Sequence, residues 1–187
     1  NVLGYSEYEY YMLNKPAGVV SAVSDKDFKT VVELITDNKR KDLFPVGRLD
    51  KDTEGLLIIT NDGDMAHRLL SPKHHIDKTY YVVAKCSIDN KYIDEFKNGL
   101  VVDKDFTAMP AKLEILQYSN QDDTTFLNIT IQEGKFHQIK RMFKAAGSEV
   151  LYLKRLSMGK LQLDETLEPG KFRPLTGSEI DLLKSWN

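Results

Sequence analysis

The sequence predicts an α+β fold: a mixed, mainly antiparallel sheet with flanking helices. Three observations lead there. Stretches rich in β-branched and aromatic residues dominate the middle of the chain. The turn signals Asn61-Asp62-Gly63, 120–123 (NQDD) and Pro169-Gly170 divide them at spacings too short for uniform βαβ crossovers. The helical segments are few, and most carry their own start or stop signal.

Taken in order, residues 8–13 (YEYYML) and 19–23 (VVSAV) read as strands, and 30–36 (TVVELIT) as a short helix. A polar loop precedes a buried-type strand at 56–60 (LLIIT), and a helix is expected over 64–70 behind the Asn-Asp-Gly turn. Strands follow at 78–85, 111–117, 124–131 and 150–156. Between them lie helices at 90–98, stopped by Gly99, and at 136–146, stopped by Gly147. A last helix, 179–185, stands behind a Thr176/Glu179 capping-box pattern.

The 187 residues suit one domain of two lobes or two small domains. With 41% hydrophobic and 29% charged residues, disordered, collagen-like and disulfide-scaffold classes are excluded. The lone Cys86 rules out an intrachain disulfide and a cysteine metal cluster, and fits a reducing compartment, the cytoplasm. No apolar run approaches the ~18 residues of a spanning helix, and the start lacks the pattern of a signal peptide.

A formal charge of −2 argues against a uniformly basic nucleic-acid binder. Its distribution argues otherwise. All four histidines fall in two basic segments, HRLLSPKHHIDK (67–78), with Asp77 as its one acid, and KFHQIKRMFK (135–144), with none. The acids gather in 89–105, 114–123 and 164–181. On a helix at about 100° per residue, Phe136, Ile139, Met142, Phe143 and Ala146 share an arc expected to face the core, and His137, Lys140, Arg141 and Lys144 share another. Such a basic arc can be a solvated face, but four uncompensated cations repel one another, and a phosphate backbone is a common reason for keeping them.

Chemistry concentrates in GRLDKDTEGLLIITNDG (47–63), where Arg48, Asp50, Asp52 and Glu54 crowd the mouth of a strand. These acids can be turn-formers, since Asp bonds its own backbone in loops. A calcium loop fails because Asn61 stands where a bidentate Glu is needed and the intervening LLIIT is strand-like. A glycosidase needs two carboxylates at controlled separation, which sequence does not fix, and Trp186 is the only tryptophan available to a sugar cleft. The histidines have no metal-ligand frame around them, and neither a glycine-rich phosphate loop nor a GxSxG elbow is present.

The same loop resembles the signature of the RsuA family of RNA pseudouridine synthases, with Asp50 at the catalytic aspartate. LNKPAG (13–18) resembles the family's Lys-Pro motif, KTYYV (78–82) the motif bearing the active-site tyrosine, and EGKFHQIKRMF (133–143) the motif bearing the active-site basic residue. The likeness runs from about Tyr10 to Leu182. Within the family, SPKHH (71–75) and FHQIKRM (136–142) are most similar to members that modify small-subunit ribosomal RNA, whereas large-subunit relatives tend to have Arg in place of His137.

The resemblance implies a pseudouridine synthase fold with a central RNA-binding cleft, a catalytic domain over residues 1–187, and an S4-type RNA-binding domain upstream that these residues do not contain. It implies isomerisation of a uridine to pseudouridine in ribosomal RNA, small-subunit by preference, without a cofactor or metal. The expected partner is ribosomal RNA or a ribosomal-subunit assembly intermediate, bound by a monomer away from membranes. Large-subunit RNA and a non-catalytic RNA-binding module are the alternatives. Asp50 is the expected catalytic carboxylate, Lys140 its partner holding it ionised, and Tyr80 the residue stacked on uracil. Since strand neighbours face opposite sides, only one of Tyr80 and Tyr81 can enter the site. Arg48, Lys15, Lys73, His74, His75, His137, Arg141, Lys144, Lys154 and Arg155 are the expected RNA contacts.

Overall fold

The structure is a computed structural model that describes residues 7–36 and 40–185; Trp186 lies outside them. Its strands are β1 (Tyr10–Lys15), β2 (Phe44–Pro45), β3 (Glu54–Thr60), β4 (Lys78–Lys85), β5 (Val101–Asp103), β6 (Phe106–Thr107), β7 (Lys112–Ser119), β8 (Thr124–Ile131), β9 (Val150–Met158), β10 (Leu161–Gln162) and β11 (Phe172–Pro174). The helices are α1 (Gly63–Leu70), α2 (Asn90–Lys97), α3 (Gln138–Ala145) and α4 (Gly177–Lys184). The chain divides into two compact units, residues 1–74 with 160–187, and residues 75–159.

In the first unit β1 is the middle strand, antiparallel to β11 on one side and to β3 on the other, and β2 adds to β3. Leu56, Leu57, Ile58 and Ile59 are all fully buried, as a continuous apolar run in a strand covered on both faces demands. Asp62 caps α1, accepting from the Met65 N–H at 3.1 Å and from the Tyr10 hydroxyl at 2.6 Å. The capping box of α4 forms as the sequence predicts, between Thr176 and Glu179.

The second unit is an antiparallel sheet in the order β9-β4-β8-β7, with α2 packed on β7 and α3 on both β9 and the β5–β6 hairpin. Residues alternate in burial along β4 and β8, so the inner face of the sheet carries Val82, Ala84, Leu127, Ile129 and Ile131. Phe96 of α2 and Phe143 of α3 close the core with ring centroids 5.1 Å apart.

Two expected elements are absent. Residues 19–23 form no strand, only a parallel bridge between Val20 and Thr30, and 30–36 reduce to one 3₁₀ turn, Val32–Leu34. Seven residues, five of them β-branched, are too few to propagate a helix. The helix expected over 136–146 begins two residues later, because His137 takes a left-handed conformation (φ 49°, ψ 36°). Phe136 therefore leaves the core-facing arc and is 76% exposed.

Candidate active site

In the first unit the candidate carboxylate stands on a turn fixed from both sides. The Thr53 N–H donates to the Asp50 carbonyl at 3.0 Å, closing the turn after the aspartate. Before it, one buried serine satisfies both backbone groups of Leu49: Ser21 Oγ accepts from its N–H at 3.1 Å and donates to its carbonyl at 3.0 Å. Beyond it, Lys15 Nζ donates to the carbonyls of Lys51 at 2.9 Å, Thr53 at 2.8 Å and Pro16 at 2.9 Å. Gly18, at φ 90° where a side chain would be strained, donates its N–H to the same Lys51 carbonyl at 2.9 Å.

This geometry corrects one expectation. Lys15 is 0% exposed and its ammonium is committed to three carbonyls, so it is not a phosphate contact. A buried cation is tolerated when all of its donors are used, and here they hold the loop of Asp50. Arg48 and Lys73 are exposed as an RNA contact requires, and His74 is half-buried at the end of a 3₁₀ turn.

In the second unit Tyr80 lies on the inner face of β4 with Val82 and Ala84 and is 8% exposed. Tyr81 points to the other face and packs edge-on against Tyr152, ring centroids 6.1 Å apart. Directly opposite Tyr80 in the β4–β9 register is Arg155, next to a bulge between Thr79 and Tyr80. At 4% exposure Arg155 is not an open phosphate holder; it shares the tyrosine's face. Lys154, opposite Tyr81, is half-buried, and His75 is exposed.

Lys78, two residues before Tyr80 and on the same strand face, was not singled out from sequence. Burial holds its ammonium below the usual lysine range, the Arg155 charge adds to that, and Glu133 opposes it. Lys78 Nζ reaches the turn before α3, where a Cβ on Gly134 would lie 3.6 Å away. Lys78 and Arg155 thus place two cations on the strand face of Tyr80, with Glu133 as an acid close to Lys78.

That turn is closed by its own side chains. Glu133 accepts from the Met109 N–H at 2.7 Å and from Gln138 Nε2 at 3.0 Å, while Gln138 Oε1 accepts from the Lys135 N–H at 3.1 Å. On α3, Ile139, Met142 and Phe143 are buried, Lys140 and Arg141 half-buried, and Lys144 exposed. Arg141 does not belong to an uncompensated basic face. It donates to Asp103 at 2.6 Å and to the Phe136 carbonyl at 3.0 Å, with its guanidinium 5.2 Å from the Phe106 ring centre. The acids of 89–105 therefore reach the basic helix through Asp103.

Asp50 and Arg48 share a loop of the first unit; in the second, Tyr80 faces Arg155 across β4 and β9, and His137, Lys140, Arg141 and Lys144 stand at the start of α3 and along it. Ser21 and Lys78 are the residues the sequence did not mark for the site. A serine in an apolar run carries no signal, whereas the spacing of Lys78 from Tyr80 did.

Comparison with known proteins gives consistent matches. The RNA pseudouridylate synthase family matches residues 9–145. The Uncharacterized RNA pseudouridine synthase YtzG of Bacillus subtilis (strain 168) is 51% identical over 180 residues, 96% of this chain and 74% of that protein. The Ribosomal small subunit pseudouridine synthase A of Haemophilus influenzae is 44% identical over 179 residues, 95% of this chain and 74% of the relative. A crystal structure of a pseudouridylate synthase superposes with a TM-score of 0.86 at 41% identity, covering 96% of this chain and 75% of its own.

Proposed function

Because the chain belongs to the RNA pseudouridylate synthase family, we propose that it converts a specific uridine of small-subunit ribosomal RNA to pseudouridine, with Asp50 as the catalytic carboxylate. In this reaction the uracil N1–C1′ bond breaks, the base turns, and a C5–C1′ bond forms. The C5 proton then leaves and N1 takes one up, so atoms balance without an oxidant or an energy source. A carboxylate suits the sugar side of that exchange, where positive character develops at C1′.

The observation that carries the proposal is the bracketed turn. Ser21 on Leu49 and Lys15 on Lys51 and Thr53 fix the backbone on either side of Asp50. A functional side chain gains most when its backbone is held before the substrate arrives. A turn serving only to join β2 to β3 has no need of a buried ammonium beneath it.

The remaining roles follow from residue chemistry. Tyr80 stacks on the uracil and its hydroxyl serves the C5 proton; Lys78 and Arg155 place two cations on the tyrosine's strand face. Arg48, exposed beside Asp50, meets the RNA that the target base vacates. Taking a uridine out of its stack costs a few kcal/mol, which phosphate contacts by Lys73, His75, Lys144 and Lys154 help to supply.

The small-subunit target is supported by the likeness to the Haemophilus influenzae enzyme and by His137, which stands where large-subunit relatives tend to carry Arg. Mapping pseudouridine in ribosomal RNA from cells with and without the gene tests it. One small-subunit position is expected to revert to uridine; reversion confined to large-subunit RNA would overturn the target assignment.

A further inference from the structure

The knuckle that opens α3 presents an aromatic surface to solvent and supports it from both sides. Phe136 is 76% exposed and its ring stacks on His137, centroids 3.8 Å apart and planes 17° from parallel. The left-handed backbone of His137 turns the pair away from the core. On one side Arg141 donates to the Phe136 carbonyl at 3.0 Å and is itself anchored on Asp103 at 2.6 Å. On the other, Gln138 accepts from the Lys135 N–H at 3.1 Å and donates to Glu133 at 3.0 Å.

A single exposed apolar side chain needs no explanation. A pre-stacked pair on a braced turn is different, because its conformation is set before any partner binds. Its surroundings select the partner by charge. Lys135 and Lys144 are exposed, and no acid occurs between residues 134 and 148. Flat aromatic faces beside lysines fit the alternation of bases and phosphates in single-stranded RNA.

Building on the proposed RNA-modifying function, we propose that Phe136 and His137 form a stacking platform for an unpaired nucleobase of the substrate RNA, with Arg141 as the positioning residue that holds it outward. The platform recognises a base by its π-face, and the neighbouring lysines take the flanking phosphates.

Two variants of the whole chain test this. Phe136→Leu keeps volume and apolarity but removes the ring; it weakens oligouridylate binding by about 5- to 100-fold, as loss of one base–aromatic stack does, and raises KM for ribosomal RNA more than it lowers kcat. Phe136→Tyr restores both. In a Trp186→Phe background, Phe136→Trp gives a single reporter whose emission is quenched by oligouridylate and not by inorganic polyphosphate. Unchanged binding in Phe136→Leu, or equal quenching by polyphosphate, would overturn the platform. Tritium release from C5-labelled uridine in ribosomal RNA by the unaltered chain is read in parallel. Release combined with unaltered Phe136→Leu binding removes the platform alone; quenching by oligouridylate without release leaves the platform standing and removes the enzymatic reading.

Discussion

Lys15 reaches from β1 to the turn that carries Asp50, and the proposed function divides stability from chemistry between the two. Replacing Lys15 by Met removes the ammonium from the Pro16 and Thr53 carbonyls and leaves the Lys51 carbonyl with the Gly18 N–H. At about 1–3 kcal/mol for each buried unsatisfied group, with relief as water enters, the net loss is about 2–4 kcal/mol. Urea unfolding of Lys15→Met should show that shift in midpoint, and at low temperature the folded fraction should keep measurable activity. Asp50→Asn should show the reverse pattern, a midpoint close to the unaltered chain and no product. Acids at the mouth of an apolar strand are conspicuous in the sequence, and the family resemblance singles out Asp50 among them. Lys15 was misread for a physical reason: a lysine is rarely fully buried, and only the fold shows that its ammonium is enclosed by carbonyls.

At the scale of elements, strands were legible where burial enforces a period, as in β4 and β8, and misjudged where apolar residues line a loop, as at 19–23. Helix periodicity located α3 but not its first turn, since one left-handed residue resets the phase and takes Phe136 from core to solvent. The α4 region shows a local cap tied to a distant strand. Arg173 of β11 donates to both oxygens of Glu179, at 2.7 and 3.0 Å, and to Asp164 at 2.9 Å. The Thr166 hydroxyl and N–H, then Arg173, lower the Asp164 carboxyl to about 2, and Arg173 foremost lowers Glu179. Groups with depressed folded values stabilise above their unfolded values and lose that contribution as pH falls through the folded ones. Arg173→Met should therefore be less stable than the unaltered chain at pH 6, and the gap should narrow as pH falls below about 4 toward about 2. Urea midpoints at the two ends of that range check it; a gap that widens in acid would contradict the assignment.

For the whole molecule, the balance of 26 basic against 28 acidic residues conceals a division of labour among the cations. Lys15 is spent on a turn, Arg141 on Asp103 and Phe136, and Arg155 on the face of Tyr80. Arg48, Lys73, Lys135 and Lys144 are exposed and Lys154 partly so; the proposed function has about four such residues on phosphates. With a slope of about −0.7 per contact on single-stranded RNA, binding should weaken on the order of 50-fold from about 50 to 200 mM salt. Affinity titrations across that range test the surface, and a flat response would exclude it. Charge segregation was readable in the sequence; which cations face solvent was not, because that depends on pairings between residues far apart in the chain, such as Arg141 with Asp103.

On the proposed function, Asp50 makes this chain an RNA-isomerising enzyme rather than an RNA-binding module. Release of tritium from C5-labelled uridine in small-subunit ribosomal RNA measures it most directly, comparing the unaltered chain with Asp50→Asn under single-turnover conditions. Release by the unaltered chain, abolished in Asp50→Asn while RNA affinity stays within about twofold, is the predicted result. Equal release by both proteins, or none by either while RNA is bound, would contradict it.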